Sequence, residues 1–169
     1  MTMRWIKKGL IFAPDGKHDW NKTHAQVPTV DCVDEKIGRI YYSSSETNNV
    51  SRTSFFEVEA GHPENILYVH DESILPLGEL GTFDESGIMP SWIVNEGGAK
   101  YLFYIGWSLG KTIPYQNAVG LAISLNQGQT FEKCGEGPLF GTTLEEPYFT
   151  GTSCVLVENG IWRNWYLST

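Results

Sequence analysis

Asp84 and Glu146 are the two carboxylates whose type and spacing suit acid–base chemistry. Lys22, Asp84 and Glu146 are evenly spaced along the chain, at an interval of about 62 residues that suggests an internal repeat. A second row, His24, Ser86 and Tyr148, follows the same spacing just downstream. Two carboxylates at one opening can share the cleavage of an acetal: one protonates the leaving oxygen, and the other activates water or attacks. Glu145, beside Glu146, is an alternative acid. Trp107, in "IGWSLGKTIPYQ", could stack on the flat face of a ring. Arg52 and Asn117 could donate hydrogen bonds to it. Each residue also has a plainer reading. Asp84 in "FDES" suits an Asx turn, Glu146 precedes Pro147 in a loop, His24 suits a hydrogen-bonded core position, and Trp107 suits ordinary packing.

These residues act together only if the chain folds them to one place, and other residues recurring at the same interval suggest that it does. Pro28, Pro90 and Thr152 recur at that interval within "VPTVDCV", "MPSWIVN" and "GTSCVLV". Tyr42, Tyr104 and Tyr166 do the same in "RIYYS", "YLFYI" and "RNWYL", and read as core. The segments between, "DEKIG", "EGGAK" and "ENGIW", are hairpin turns. A third strand follows at "TSFFEV" and "VGLAIS", and a fourth is expected at "SILPLG" and "GPLFG". The opening "KKGLIFA" matches that fourth element. The sum is about 11 strands, an all-β chain with the pattern of a partial β-propeller of four-stranded antiparallel blades. The expected units run roughly over 24–80, 81–142 and 143–169, with 1–23 as outer strand and lead-in. A sandwich with accidental spacing is the alternative.

Composition agrees with many short strands and tight turns. The chain has 169 residues, with 18 Gly, six Trp and eight Tyr, and few helix-favouring runs. A net charge of −8 without a basic cluster argues against nucleic acid or an anionic membrane as partner. No apolar run is long enough to span a bilayer, and the N-terminus is a poor signal peptide. The three cysteines include no CxxC; Cys32 and Cys154 lie in apolar runs and read as buried. A cytoplasmic setting is expected. The four histidines have no ligand spacing, so no metal or cofactor is expected.

"SLNQGQTF", Ser124–Phe131, resembles the Asp-box hairpin of sialidases, with Asn126 in place of Asp. Its expected role is structural, as a turn with Asn126 and Gly128 in left-handed conformations. Together with "HAQVPTV…GRIYYSS", "LGELGTFDESGIMPS", "YLFYIGWSLG" and "EEPYFTGTSCVL…WRNWYLS", it makes the chain resemble five-bladed propeller proteins related to glycoside hydrolase families 43 and 32. That resemblance implies carbohydrate chemistry in a central funnel. It implies Asp84 as the second-blade carboxylate and Glu146 or Glu145 as the third-blade acid. The first-blade Asp is missing, because "THAQVP" offers His24 and Gln26 there. A five-bladed ring at this repeat needs roughly 310 residues.

Two functions compete. One is a glycoside hydrolase-like enzyme using Asp84 and Glu146, with His24, Ser86, Trp107, Tyr148, Glu145, Asn117 and Arg52 binding substrate. The other is a non-catalytic carbohydrate-binding or assembly module, or a fragment of a larger propeller enzyme. Either way the expected ligand is a carbohydrate. A homo-oligomer is expected to complete or cover the open sheet edge.

Overall fold

A computed structural model describes residues 3–7 and 9–169. Among them are ten strands and no helix. β1 (Thr23–Cys32), β2 (Ile37–Ser45), β3 (Ser51–Glu59) and β4 (His62–Val69) form an antiparallel unit in chain order. β5 (Gly87–Glu96), β6 (Ala99–Leu109), β7 (Tyr115–Ser124) and β8 (Glu132–Lys133) form a second. β9 (Thr150–Glu158) and β10 (Ile161–Ser168) make a separate two-stranded sheet. The first two units join through one parallel pair, Ser51 with Gly87.

The sequence repeat is visible in the packing. Tyr41 and Phe55 of the first unit bury against Ile88, Leu102 and Tyr104 of the second. Val94, Phe103 and Val119 of the second unit bury against Val155 of β9. Each such fully buried side chain contributes about 1.5–3 kcal/mol. Each leading strand is also bulged near the repeated position. Register shifts fall between Gln26 and Thr29, between Pro90 and Trp92, and opposite Tyr166/Leu167, where Thr152 is left unpaired. The bulge residue Ser91 binds the next sheet, its hydroxyl accepting the Ser153 N–H at 2.5 Å.

Several expectations need correction. Residues 3–7 and 9–22 carry no strand, so "KKGLIFA" is not an outer strand where it is described; Lys8 lies outside the described residues. Instead Phe12 stacks on Phe56, with centroids 4.4 Å apart, and covers the outer face of the first unit. The fourth strand is His62–Val69, not "SILPLG". Pro76 and Gly78 break the latter segment, yet Ile74 and Leu75 are fully buried. Ile74 donates its N–H to Thr53 O (3.0 Å) and accepts from Phe131 N–H (2.9 Å), tying the two units together. "GPLFG" supplies only a bridge, Val119 with Phe140. Cys32 and Cys154 are exposed, as is Cys134. Strand alternation turns the first two outward despite their apolar neighbours. Tyr42 and Tyr104 are core as expected, whereas Tyr166 is half-buried and stacks on Phe140 at 4.9 Å.

The "SLNQGQTF" hairpin staples itself. Asn126 Oδ1 accepts from Ser124 Oγ–H (2.7 Å) and from Thr130 N–H (3.1 Å). The left-handed residues are Gln127 (φ 61°) and Gly128 (φ 77°), so Asn126 serves through its side chain and not its backbone. Tyr41 donates its hydroxyl to Gly128 O at 3.0 Å, and Arg39 donates to Gln127 O. The hairpin of the second unit is thereby anchored on β2 of the first.

Candidate functional site

Antiparallel pairing sets the strand starts of β1, β3, β5, β7 and β9 at one end of the sheets, with the ends of β2, β6 and β10. All nine sequence candidates lie at or next to that end. The structure gives them different surroundings.

Asp84 is enclosed. Its side chain is 1% exposed, and Lys133 Nζ lies 2.7 Å from Oδ2. Tyr104 donates its hydroxyl to the same oxygen at 3.0 Å, and Thr82 donates to Oδ1 at 3.1 Å. Burial, with the Asp84 charge alongside, pushes the Tyr104 phenol well above its ordinary value. Glu146 is half-buried and accepts the Tyr166 hydroxyl at 3.1 and 3.2 Å. That hydrogen bond raises the Tyr166 phenol, with burial a smaller cause. Asp84–Tyr104 and Glu146–Tyr166 share the same 20-residue separation. The first unit has no such pair: the Tyr42 hydroxyl is buried without a hydrogen-bond partner, and burial raises its phenol to about 12, a shift that the nearby Asn21 and Ser54 side chains oppose.

Trp107 and Asn117 come together. They pair across β6 and β7 and line a cleft of about 270 Å³ between the first and second units. The first unit supplies Gln26, Ser45, Asn49 and Ser51; the second adds Met89 and Tyr115. Every lining side chain is uncharged. Trp107 is fixed by its indole N–H, which donates to Ser51 Oγ at 2.7 Å. Gly87 makes this possible, because a β-carbon there would collide with both Trp107 Nε1 and Ser51 Oγ. Asn49 takes a left-handed backbone (φ 67°) in the tight turn between β2 and β3.

The remaining candidates lie outside this cleft. Arg52 is paired with Glu46 at 2.8 Å. His24, exposed and left-handed (φ 66°), bonds Thr23 Oγ1 at 2.8 Å. Ser86 bridges neighbouring strands through its backbone, donating to Trp107 O and accepting from Ser51 N–H. Tyr148 is exposed and lines a second cleft of about 270 Å³ with Gln116 and Asn117, on the side facing β9. Glu145 is exposed, its carboxylate 3.5 Å from Thr143 Oγ1. A wider cleft of about 690 Å³, between residues 11–21 and β4, includes none of the candidates. Among the described residues no three His, Cys, Asp or Glu side chains gather as a metal site.

Sequence reasoning missed Gln26, Ser45, Asn49, Ser51, Met89 and Tyr115. The polar run "SSSETNNVSR" reads as a solvent-facing hairpin. Its one signal was a pair of serines flanking the turn, both of which are buried at the cleft.

The all-β fold is similar to that of β-propeller glycoside hydrolases. A family 117 glycoside hydrolase from Zobellia galactanivorans superposes with a TM-score of 0.60 at 17% identity, over 95% of this chain and 48% of that one. The β-1,2-mannobiose phosphorylase of Listeria innocua gives 0.63 at 14% identity, over 95% and 43%. In sequence, the chain is 35% identical over 164 residues to the uncharacterized protein Rv1502 of Mycobacterium tuberculosis strain H37Rv, covering 97% of this chain and 54% of that protein. The chain thus spans about half the length of the curated relatives it matches. No family model matches it.

Proposed function

We propose that the chain binds a neutral saccharide in the cleft between its first two units, with Trp107 as the stacking surface. The supporting observation is the cleft's chemistry. A fixed indole stands among amide and hydroxyl side chains, with no charged group in the lining. A sugar offers what such a lining takes: an apolar C–H face for the ring and hydroxyls for Gln26, Asn49 and Asn117. A charged ligand would find no counter-ion there. The fold's likeness to carbohydrate-active propellers agrees with this reading.

In this reading Asp84 and Glu146 anchor tyrosines and do not react. Asp84 is committed to Lys133, Tyr104 and Thr82. A second reading, glycoside hydrolysis with Glu146 as the acid, is favoured by that residue's partial exposure at the strand-start end. Calorimetric titration with a panel of neutral mono- and oligosaccharides tests the first reading; binding lost in Trp107→Ala is the expected result. Assay of wild type and Glu146→Gln on aryl glycosides tests the second. Turnover that falls in Glu146→Gln would establish it, and absence of saccharide binding would end the first.

A further inference from the structure

The hairpin between β6 and β7 is longer than its counterpart one repeat earlier. Ser45 and Trp107 hold the same place in the repeat. The β2–β3 ladder ends there, with Ser45 opposite Ser51. The β6–β7 ladder runs on past Trp107 and Asn117, through Ser108 with Gln116 and Leu109 with Tyr115, before its turn at residues 110–114. Gly110 closes that turn by donating its N–H to Pro114 O at 3.4 Å. The second unit thereby raises a short two-stranded wall beside the Trp107 cleft. Strand alternation sorts the side chains of that wall. Ser108 and Gln116 face away and line the second cleft. Leu109 and Tyr115 share the face of Trp107 and Asn117, and Tyr115 reaches into the cleft lining. Both are open to solvent, Leu109 at 70% and Tyr115 at 52%. The matching tip of the first unit, "ETNNV", is polar except for Val50.

We infer that this wall holds an apolar aglycone, an aryl or alkyl group joined by a glycosidic bond to the sugar in the cleft. The inference rests on the saccharide reading of the Trp107 cleft and names what that sugar carries. Continuity is the first argument. Leu109 and Tyr115 stand two residues along their strands from Trp107 and Asn117, about 7 Å, so a substituent leaving a sugar stacked on Trp107 meets them next. Chemistry is the second. A further sugar ring needs partners for its hydroxyls, as the cleft supplies through Gln26, Asn49 and Asn117. Leu109 has none to give, and Tyr115 has a single hydroxyl. An aromatic ring or alkyl chain needs no such partner, and gains by leaving water for the leucine side chain and the face of the phenol. Scattered exposed apolar residues are ordinary. These two face each other across one rung of the ladder, adjoining an uncharged cleft.

Matched pairs of methyl and phenyl glycosides of glucose, galactose, mannose, xylose and arabinose test this by titration calorimetry. In wild type the phenyl member of a bound pair is expected to bind about tenfold more tightly, the gain from burying about two methylenes. Leu109→Ser is expected to bring that ratio close to one, with unchanged circular dichroism because the side chain is exposed. Tyr115→Ser is expected to lower the ratio too. Leu125→Ser, in the exposed turn after β7, is expected to keep it. Methyl and phenyl glycosides bound equally, or a phenyl preference that survives Leu109→Ser, would overturn the inference and leave the saccharide reading in place. Absence of binding by every pair, or binding unchanged in Trp107→Ala, would remove the saccharide reading and this inference with it.

Discussion

Tyr104 donates its hydroxyl hydrogen to Asp84 Oδ2 at 3.0 Å, in a site closed to solvent. The same oxygen takes Lys133 Nζ at 2.7 Å. The loop before β5, the middle of β6 and the short outer strand β8 therefore meet at one carboxylate. This is the position expected to carry acid–base chemistry; its carboxylate is enclosed and engaged by Lys133, Tyr104 and Thr82.

Asp84→Ala strands Lys133 in the interior without its partner. Breaking a buried pair in this way costs about 3–5 kcal/mol. Tyr104→Phe removes one hydrogen bond to a charged group, for about 1.5–3 kcal/mol. Urea unfolding of the two variants checks both values. Unchanged stability in Asp84→Ala would contradict a stabilising role for the Asp84–Lys133 pair.

The Ser124–Phe131 hairpin is predicted to matter for stability and not for binding. Asn126→Ala loses three turn hydrogen bonds and should cost about 1–2 kcal/mol. Gly128→Ala should cost more, because φ is +77° and the added methyl meets Tyr41 Oη. Both variants should bind saccharide as wild type does when measured below their melting temperatures.

Alkaline titration should separate the eight tyrosines. Burial raises Tyr41 and Tyr42 to about 12 from an ordinary value of 10.0, and raises Tyr104 as well. A phenol with a raised folded pKa holds its proton more tightly folded than unfolded. Its contribution to stability is therefore complete below pH 10 and is lost as pH rises toward 12 and beyond. Absorbance at 295 nm should show these three ionising only with unfolding, seen as loss of near-ultraviolet dichroism. Ionisation of all eight in an intact fold would contradict this.

Ser51→Ala should loosen the Trp107 ring without removing it. Saccharide affinity is expected to fall by roughly five- to tenfold, the loss of about one hydrogen bond's net worth in fixing the ring. Titration calorimetry against Trp107→Ala, which should abolish binding, gives the comparison.

Much of the fold was legible because period and spacing coincide. Pro28, Pro90 and Thr152 mark the bulged strands β1, β5 and β9, and the tyrosines that follow them, Tyr42, Tyr104 and Tyr166, mark β2, β6 and β10. β4 was not legible, because "HPENILYV" carries Pro63 and Glu64 and is mostly exposed, as edge strands often are. Trp107 and Asn117 could be singled out by type. Their partners across the cleft could not, since Ser51 and Asn49 belong to an ordinary polar turn. The Asp84–Lys133 pair was invisible for a related reason: Lys133 is distant in sequence, and only the fold brings it in.

The central claim, a saccharide cleft at Trp107, is tested most directly by its indole N–H resonance. Trp107→Phe identifies that signal among the six tryptophans. Titration with neutral oligosaccharides is predicted to shift it, saturably, and to lose that shift in Asn117→Ala. An indole signal unmoved by every saccharide, or shifts confined to tryptophans outside the cleft, would contradict the account.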